Sequence, residues 1–250
     1  MISKTLSQPA LDMIQKYLNL PFADKNVSCP YFNNRRSQVR GALRVLIGKG
    51  TPQDIADEAI IFSMKEKIDL EQLSDEELKK YLVDHNLGSD CSGFVYHVLN
   101  AELETTHKKS LRHILHFPHA KNIIRKLLIK LRPVENCGVS TLAHEKNSSK
   151  IELQNIQPGD LIIILNAGPQ QDYNHVMIIK KIEYEHTLPK IIHYTHSFQY
   201  PRDGKYGHGI KQEKIEIIDV QKNLLEQNWN EGQMREYGKN AQSIKIQRLK

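Results

Sequence analysis

Cysteine is scarce in this 250-residue chain: there are three, Cys29, Cys91 and Cys137, an odd number at wide spacing. That argues against a disulfide framework or a C-x-x-C metal knuckle and leaves at least one free thiol. Long apolar runs are missing too. No window approaches the roughly 18 apolar residues of a membrane span, and the opening M-I-S-K-T-L-S-Q-P-A-L-D-M lacks an apolar core of signal-peptide length. A soluble chain is expected, cytoplasmic for want of a signal peptide, with secretion by another route left open. Acidic residues are absent from Thr105 to Pro133, the stretch that holds Lys108, Lys109, Arg112, Lys121, Arg125, Lys126, Lys130 and Arg132. The net charge of +6 is therefore concentrated in one segment.

Helical signals come first along the chain. Leu6 to Leu20 has helical spacing and stops at Pro21, and Arg36 to Ile47 reads as a basic amphipathic helix closed by G-K-G. Thr51-Pro52 opens another helix with Asp54 near its positive end, and Ser74 with Glu77 has capping-box spacing. From Ile151 the period changes to that of strands: L-I-I-I-L, V-M-I-I-K-K-I, K-I-I-H-Y-T-H, K-I-E-I-I-D-V and the terminal S-I-K-I-Q-R-L. Helices followed by an antiparallel-looking sheet predict an α+β class. The expected organisation is one domain over 1–250, with a helical insertion at 35–87, a basic helical insertion at 101–150, and mainly sheet over 151–250.

One stretch, G-S-D-C-S-G-F-V-Y-H-V-L-N at 88–100, places a cysteine where a polar turn meets an apolar run. Asp90 is a good N-cap, which puts Cys91 in the first helical turn, where unpaired N–H groups and the positive dipole end favour a thiolate and can hold an oxyanion. The same position also suits a small apolar residue packed at a helix start. Gly93 leaves room for a substrate or a neighbouring backbone. Further on, N-H-V-M-I-I sets His175 at the start of a strand, from which an imidazole can reach a helix N-terminus. Cys29 and Cys137 have no such context and read as structural. His113, His116 and His119, interrupted by Pro118, read as basic surface, not a metal site.

Taken together, D-C-S-G-F-V, P-G-D-L-I-I-I, H-V-M-I-I and a polar residue on the next strand resemble the NlpC family of papain-like cysteine peptidases, many of which cleave peptidoglycan stem peptides. The resemblance implies a papain-like α+β fold, with a central helix bearing Cys91 packed on an antiparallel sheet. It implies Cys91 as nucleophile, His175 as base and a third polar residue that orients the base, with no cofactor and no metal. C-P-Y-F-N-N is similar to the P-Y-x-W-G-G segment of that family, which would place Tyr31 in the substrate cleft, with Asp90 and Ser92 also counted as substrate-binding. Asn33-Asn34 stand where the family has Gly-Gly, and Met177 where it has Gly.

For the third residue, a hairpin with Ile182 facing Pro189 counts His175 opposite His196. Placing His193 there instead would push Pro189 opposite Ile179, where it cannot donate. His196 is expected. The expected reaction is amide hydrolysis through an acyl-enzyme, on a peptide or peptidoglycan fragment. A cytoplasmic thiol amidase, an acyltransferase, or a non-catalytic binding module using the basic insertion are the alternatives. In that insertion Ile123, Ile124, Leu127, Leu128 and Leu131 are expected to pack on the domain. The charged side would be solvated or meet nucleic acid, anionic lipid or an anionic polymer, nucleic acid being disfavoured by the lack of stacking aromatics.

Overall fold

The computed structural model describes residues 2–34, 44–118 and 122–250. The expected helix over 36–47 lies largely outside them, as do His119, Lys121 and the side chains of Ile123 and Lys126. Of that helix the described end is a 3-10 turn, Val45–Ile47, closed by Gly48 at φ 76°. A side chain at residue 48 would sit 2.4 Å from the Phe32 carbonyl oxygen, so the turn needs glycine for space as well as for φ.

A short strand β1 (Ile2–Thr5) leads into α1 (Gln8–Leu18), which buries Ala10, Ile14 and Tyr17 at helical spacing. Helices α2 (Pro52–Glu66) and α3 (Asp75–Asp84) both open on complete capping boxes, Thr51 with Asp54 and Ser74 with Glu77. Each box satisfies orphan N–H groups that would otherwise fray the first turn. Helix α4 (Cys91–Thr106) is the central one and packs on α1 and on the sheet. The basic segment then breaks into short pieces: α5 (Leu111–Ile114), α6 (Ile123–Leu131), α7 (Pro133–Asn136) and α8 (Val139–Leu142). Helix α9 (Gly232–Lys239) lies near the C-terminus.

The strands are β2 (Ser148–Lys150), β3 (Leu161–Ala167), β4 (Tyr173–Glu185), β5 (Leu188–Phe198), β6 (Gly209–Glu216), β7 (Asn228–Trp229) and β8 (Ser243–Leu249). They form one antiparallel sheet in the order β2-β8-β3-β4-β5-β6-β7, with β1 added on β4. Together with the helices this is an α+β arrangement. Both faces are covered. Leu161, Ile163, Val176 and Ile178 join α1 and α4 in one core, while Ile162, Ile164, Met177 and Ile179 pack with Trp229 and Met234 in a second. Double burial is why L-I-I-I-L is apolar at every position instead of alternating.

Three expectations need correction. The strand expected at 214–220 is Gly209–Glu216 and ends before Ile217. In the β4–β5 hairpin Ile182 faces Ile192 and Pro189 faces Tyr184. The turn is only His186-Thr187, with His186 at φ 55°, tighter than the loop assumed in the count, and two ladder irregularities shift the register again. Finally, four of the α6 residues expected to pack on the domain do not: Ile124, Leu127, Leu128 and Leu131 are exposed, while Ile129 is buried. No helix among the described residues is long and apolar enough to cross a membrane.

Candidate active site

The start of α4 is held from several sides. Asp90 caps it, its Oδ1 accepting from the Gly93 N–H at 2.6 Å. The Asp90 N–H donates to the Gly48 carbonyl at 2.9 Å, and a Cβ on Gly93 would lie 2.6 Å from that same oxygen. Gly93 thus admits a neighbouring backbone to the first turn. Ser89 bridges to Tyr31 and to Lys49, and its carbonyl accepts from Phe32 N–H and from Ser197 Oγ on β5. These bonds bring Tyr31 to the helix start from 60 positions earlier in the chain.

Lys49 is the residue that the sequence did not point to. It is 5% exposed, and its Nζ donates to Asp90 Oδ1 at 2.9 Å, Ser92 Oγ at 2.6 Å and the Cys137 carbonyl at 2.9 Å. A buried ammonium needs such partners, and here they tie the helix start to the end of the basic segment. The side chains of Asp90 and Ser92 are therefore engaged within the protein: Ser92 Oγ also bonds Asp90 Oδ1.

Strand β4 brings His175 to the same place. Its Nε2 lies 2.7 Å from His196 Nδ1, and His196 Nε2 lies 3.4 Å from the Tyr200 hydroxyl. The two imidazoles meet diagonally across the β4–β5 ladder. Continuing from Ile178 opposite Thr195, His175 reaches the level of Phe198, whose ring it contacts at 4.8 Å. The counted register was off by two, an even slip that keeps His196 on the correct face. His193 points elsewhere, with Nε2 3.0 Å from Glu183 Oε1. The Nε2 of His175 is thus committed to His196.

Burial dominates the electrostatics. It pushes the Cys91 thiol up to about 12, with the Asp90 carboxylate adding to the rise, while Lys49 and the N–H groups of Val176 and Ser92 pull the other way. The helix-start effect expected to favour a thiolate is outweighed in the resting protein. Burial likewise takes His175 down to about 3, and holds His196 well below the ordinary range with help from His175 and Lys211. The Cys91 thiol and both imidazoles are thus neutral at rest. Cys29 and Cys137 are also free, buried and raised to about 12.

A cleft of about 1260 Å³ opens over Cys91 and His175. Tyr31, Cys91, His175, Phe198 and Tyr200 line it, and residues 135–140 of the basic segment form another part of its wall. Phe198 could have been found from the rule that residues two apart on a strand share a face; Lys49 in G-K-G and residues 135–140 carried no signal.

A family model described as NlpC/P60 matches residues 78–234, more than half of the chain. The chain belongs to the NlpC/P60 family. This is a family of cysteine peptidases and amidases that commonly act on peptidoglycan, and the α+β arrangement here is compatible with its fold. The matched span takes in Cys91, His175, His196 and the basic segment, whereas Tyr31 and Lys49 precede it. No curated protein and no solved structure matches the chain.

Proposed function

We propose that this chain, read as one catalytic domain, is a cysteine amidase that cleaves a peptide bond through an acyl-enzyme on Cys91. The observation that carries the reading is the meeting of three elements. The Cys91 sulfur lies under the influence of the Val176 N–H, and the preceding residue, His175, is bonded to His196 at 2.7 Å at the wall of the same cleft.

Because thiol and imidazole are both neutral at rest, the proton moves from sulfur to His175 Nδ1 as the sulfur attacks the carbonyl carbon. N–H groups at the start of α4 take the oxyanion. The C–N bond then breaks, His175 returns the proton to the leaving amine, and a thioester remains. Water, deprotonated by His175, releases the acid and restores the thiol. His196 accepts the His175 Nε2–H, fixing the tautomer that leaves Nδ1 for the sulfur. Tyr31 contacts substrate from the cleft wall. Asp90 and Ser92 serve by holding the helix start with Lys49, a role closer to positioning than to the substrate binding expected of them. Family likeness favours a peptidoglycan stem peptide as substrate. An amine in place of water as acceptor would make the same site an acyltransferase.

Brief iodoacetamide treatment of the folded protein at near-neutral pH, followed by mass spectrometry, tests the nucleophile, and digestion of purified muropeptides tests the reaction. Cys91 is expected to be labelled first, and Cys91→Ala to lower hydrolysis by about a thousandfold or more with the fold retained. Prior labelling of Cys29 or Cys137, or full activity in Cys91→Ala, would overturn the assignment.

A further inference from the structure

Helix α6 presents its hydrocarbon to water. Ile124 is 73% exposed, Leu127 60%, Leu128 52% and Leu131 71%, and their spacing makes one continuous stripe along the helix. Ile129, 4% exposed, faces the protein. At about 100° per residue, Arg125 and Lys130 fall on the two flanks of the stripe, one on each side. No acidic residue occurs from Thr105 to Pro133, and Lys108, Lys109 and Arg112 extend the cationic stretch towards α4. We propose that α6 is an interfacial element that lays the protein on the surface of an anionic lipid bilayer.

The charge selects this occupant over the others. A second copy of the chain would bring two cation sets together over the apolar contact. A nucleic acid or a cell-wall polyanion would meet the charges and leave four aliphatic side chains wet. An anionic bilayer meets both demands: acyl chains and glycerol backbones take the stripe, while Arg125 and Lys130 extend to the headgroups. The exposed Ile60, Ile61 and Met64 of α2 make a useful contrast, since they are interleaved with Asp57, Lys65 and Glu66 and have no single-sign flank. With nine residues the helix is short, so attachment would be reversible. It leads through α7 into residues 135–140 of the cleft wall, so a docked molecule would hold its cleft beside the lipid surface. The docking itself does not depend on the amidase reading.

Co-sedimentation of the full chain with vesicles tests the proposal, comparing phosphatidylcholine alone with phosphatidylcholine containing about one-third phosphatidylglycerol. Binding is expected only to the second, to weaken with added salt, and to be the same in Cys91→Ala. The pair Leu127→Gln with Leu128→Gln, and separately Arg125→Glu with Lys130→Glu, should each weaken it by about tenfold or more, with unchanged circular dichroism. Failure to bind anionic vesicles would overturn the proposal. So would full binding by the leucine pair, which would reduce the segment to a charge patch. Self-association abolished by the leucine pair, without vesicle binding, would assign the face to a second copy instead.

Discussion

Helices α4 and α6 are both rich in aliphatic residues at helical spacing, and they use them in opposite directions. In α4 every residue from Cys91 to Tyr96 is buried, with Val98 and Leu99 behind them, between α1 and strands β4 and β5. In α6, among the described side chains, Ile124, Leu127, Leu128 and Leu131 face water and Ile129 faces the protein. Periodicity shows that a helix has an apolar face; it does not show what covers that face. The neighbours decide. The α4 start is fixed by its Asp90 cap, by Ser89 and by Lys49, so its packing partners are set before its side chains are considered. Helix α6 hangs between short segments, and its cations cannot be buried without partners.

Lys49 is the instructive exception, a cation that α4 does bury, and removing it should have the largest effect on stability. Lys49→Met leaves Asp90 and the Cys137 carbonyl without their partner, and should cost about 3–5 kcal/mol in urea unfolding. Arg125→Met on α6, the same loss of charge on an exposed helix, should change stability by less than about 0.5 kcal/mol. Equal effects would mean that the Lys49 network does not hold the helix start.

The next comparison lies within the sheet that supports α4. His196→Ala should reduce turnover by about a hundredfold or more while Cys91 stays open to alkylation, because His175 loses the group that fixes its tautomer. His193→Ala, which removes only a partly exposed contact to Glu183, should leave turnover near wild type. The reverse ranking would show that the 2.7 Å contact between His175 and His196 is not the productive one.

The helix caps and the buried strands were legible because each is a local rule: Thr51 with Asp54, Ser74 with Glu77, Asp90 before Cys91, and S-I-K-I-Q-R-L, which is β8 to the residue. What escaped was non-local. The hairpin register depended on a two-residue turn with His186 in the left-handed region, and His-Thr is not one of the Asn-Gly or Asp-Gly pairs that announce such a turn. Strand β1, I-S-K-T, is exposed along its length and so has no burial pattern to read. The contact of Lys49 with Ser92, and of Tyr31 with Ser89, joins segments more than forty residues apart, and only the fold brings them together.

Acid should separate the buried region from the exposed one as well. His97 and His208 are pushed down to about 4 and His175 to about 3, all chiefly by burial, and His196 also lies well below its ordinary value. For each, the folded pKa is below the unfolded one, so between the two the unfolded chain binds more protons. Stability is then full above about pH 6.5 and falls as pH drops towards 4, by about 1.4 kcal/mol per pH unit for each proton that only the unfolded chain holds. Melting temperatures between pH 8 and pH 4 should fall accordingly. A flat profile would mean that water reaches these imidazoles.

The sharpest test of the contrast between the two helices uses one substitution twice, and in α6 its expected effect is small. Leu99→Ala in α4 removes a side chain that is 2% exposed and should cost about 2–5 kcal/mol through lost transfer energy and the cavity left behind. Leu127→Ala in α6 removes one that is 60% exposed, leaves no cavity and swaps one good helix former for another, so stability should change by less than about 0.5 kcal/mol. Urea denaturation of the two variants beside the parent protein measures both. If Leu127→Ala proved as costly as Leu99→Ala, the α6 stripe would have to be packed against the chain in solution, and no hydrocarbon would be left to offer a bilayer. If the small value holds, those aliphatic side chains contribute nothing to folding, and their reason for lying on one face flanked by Arg125 and Lys130 has to be sought outside the molecule.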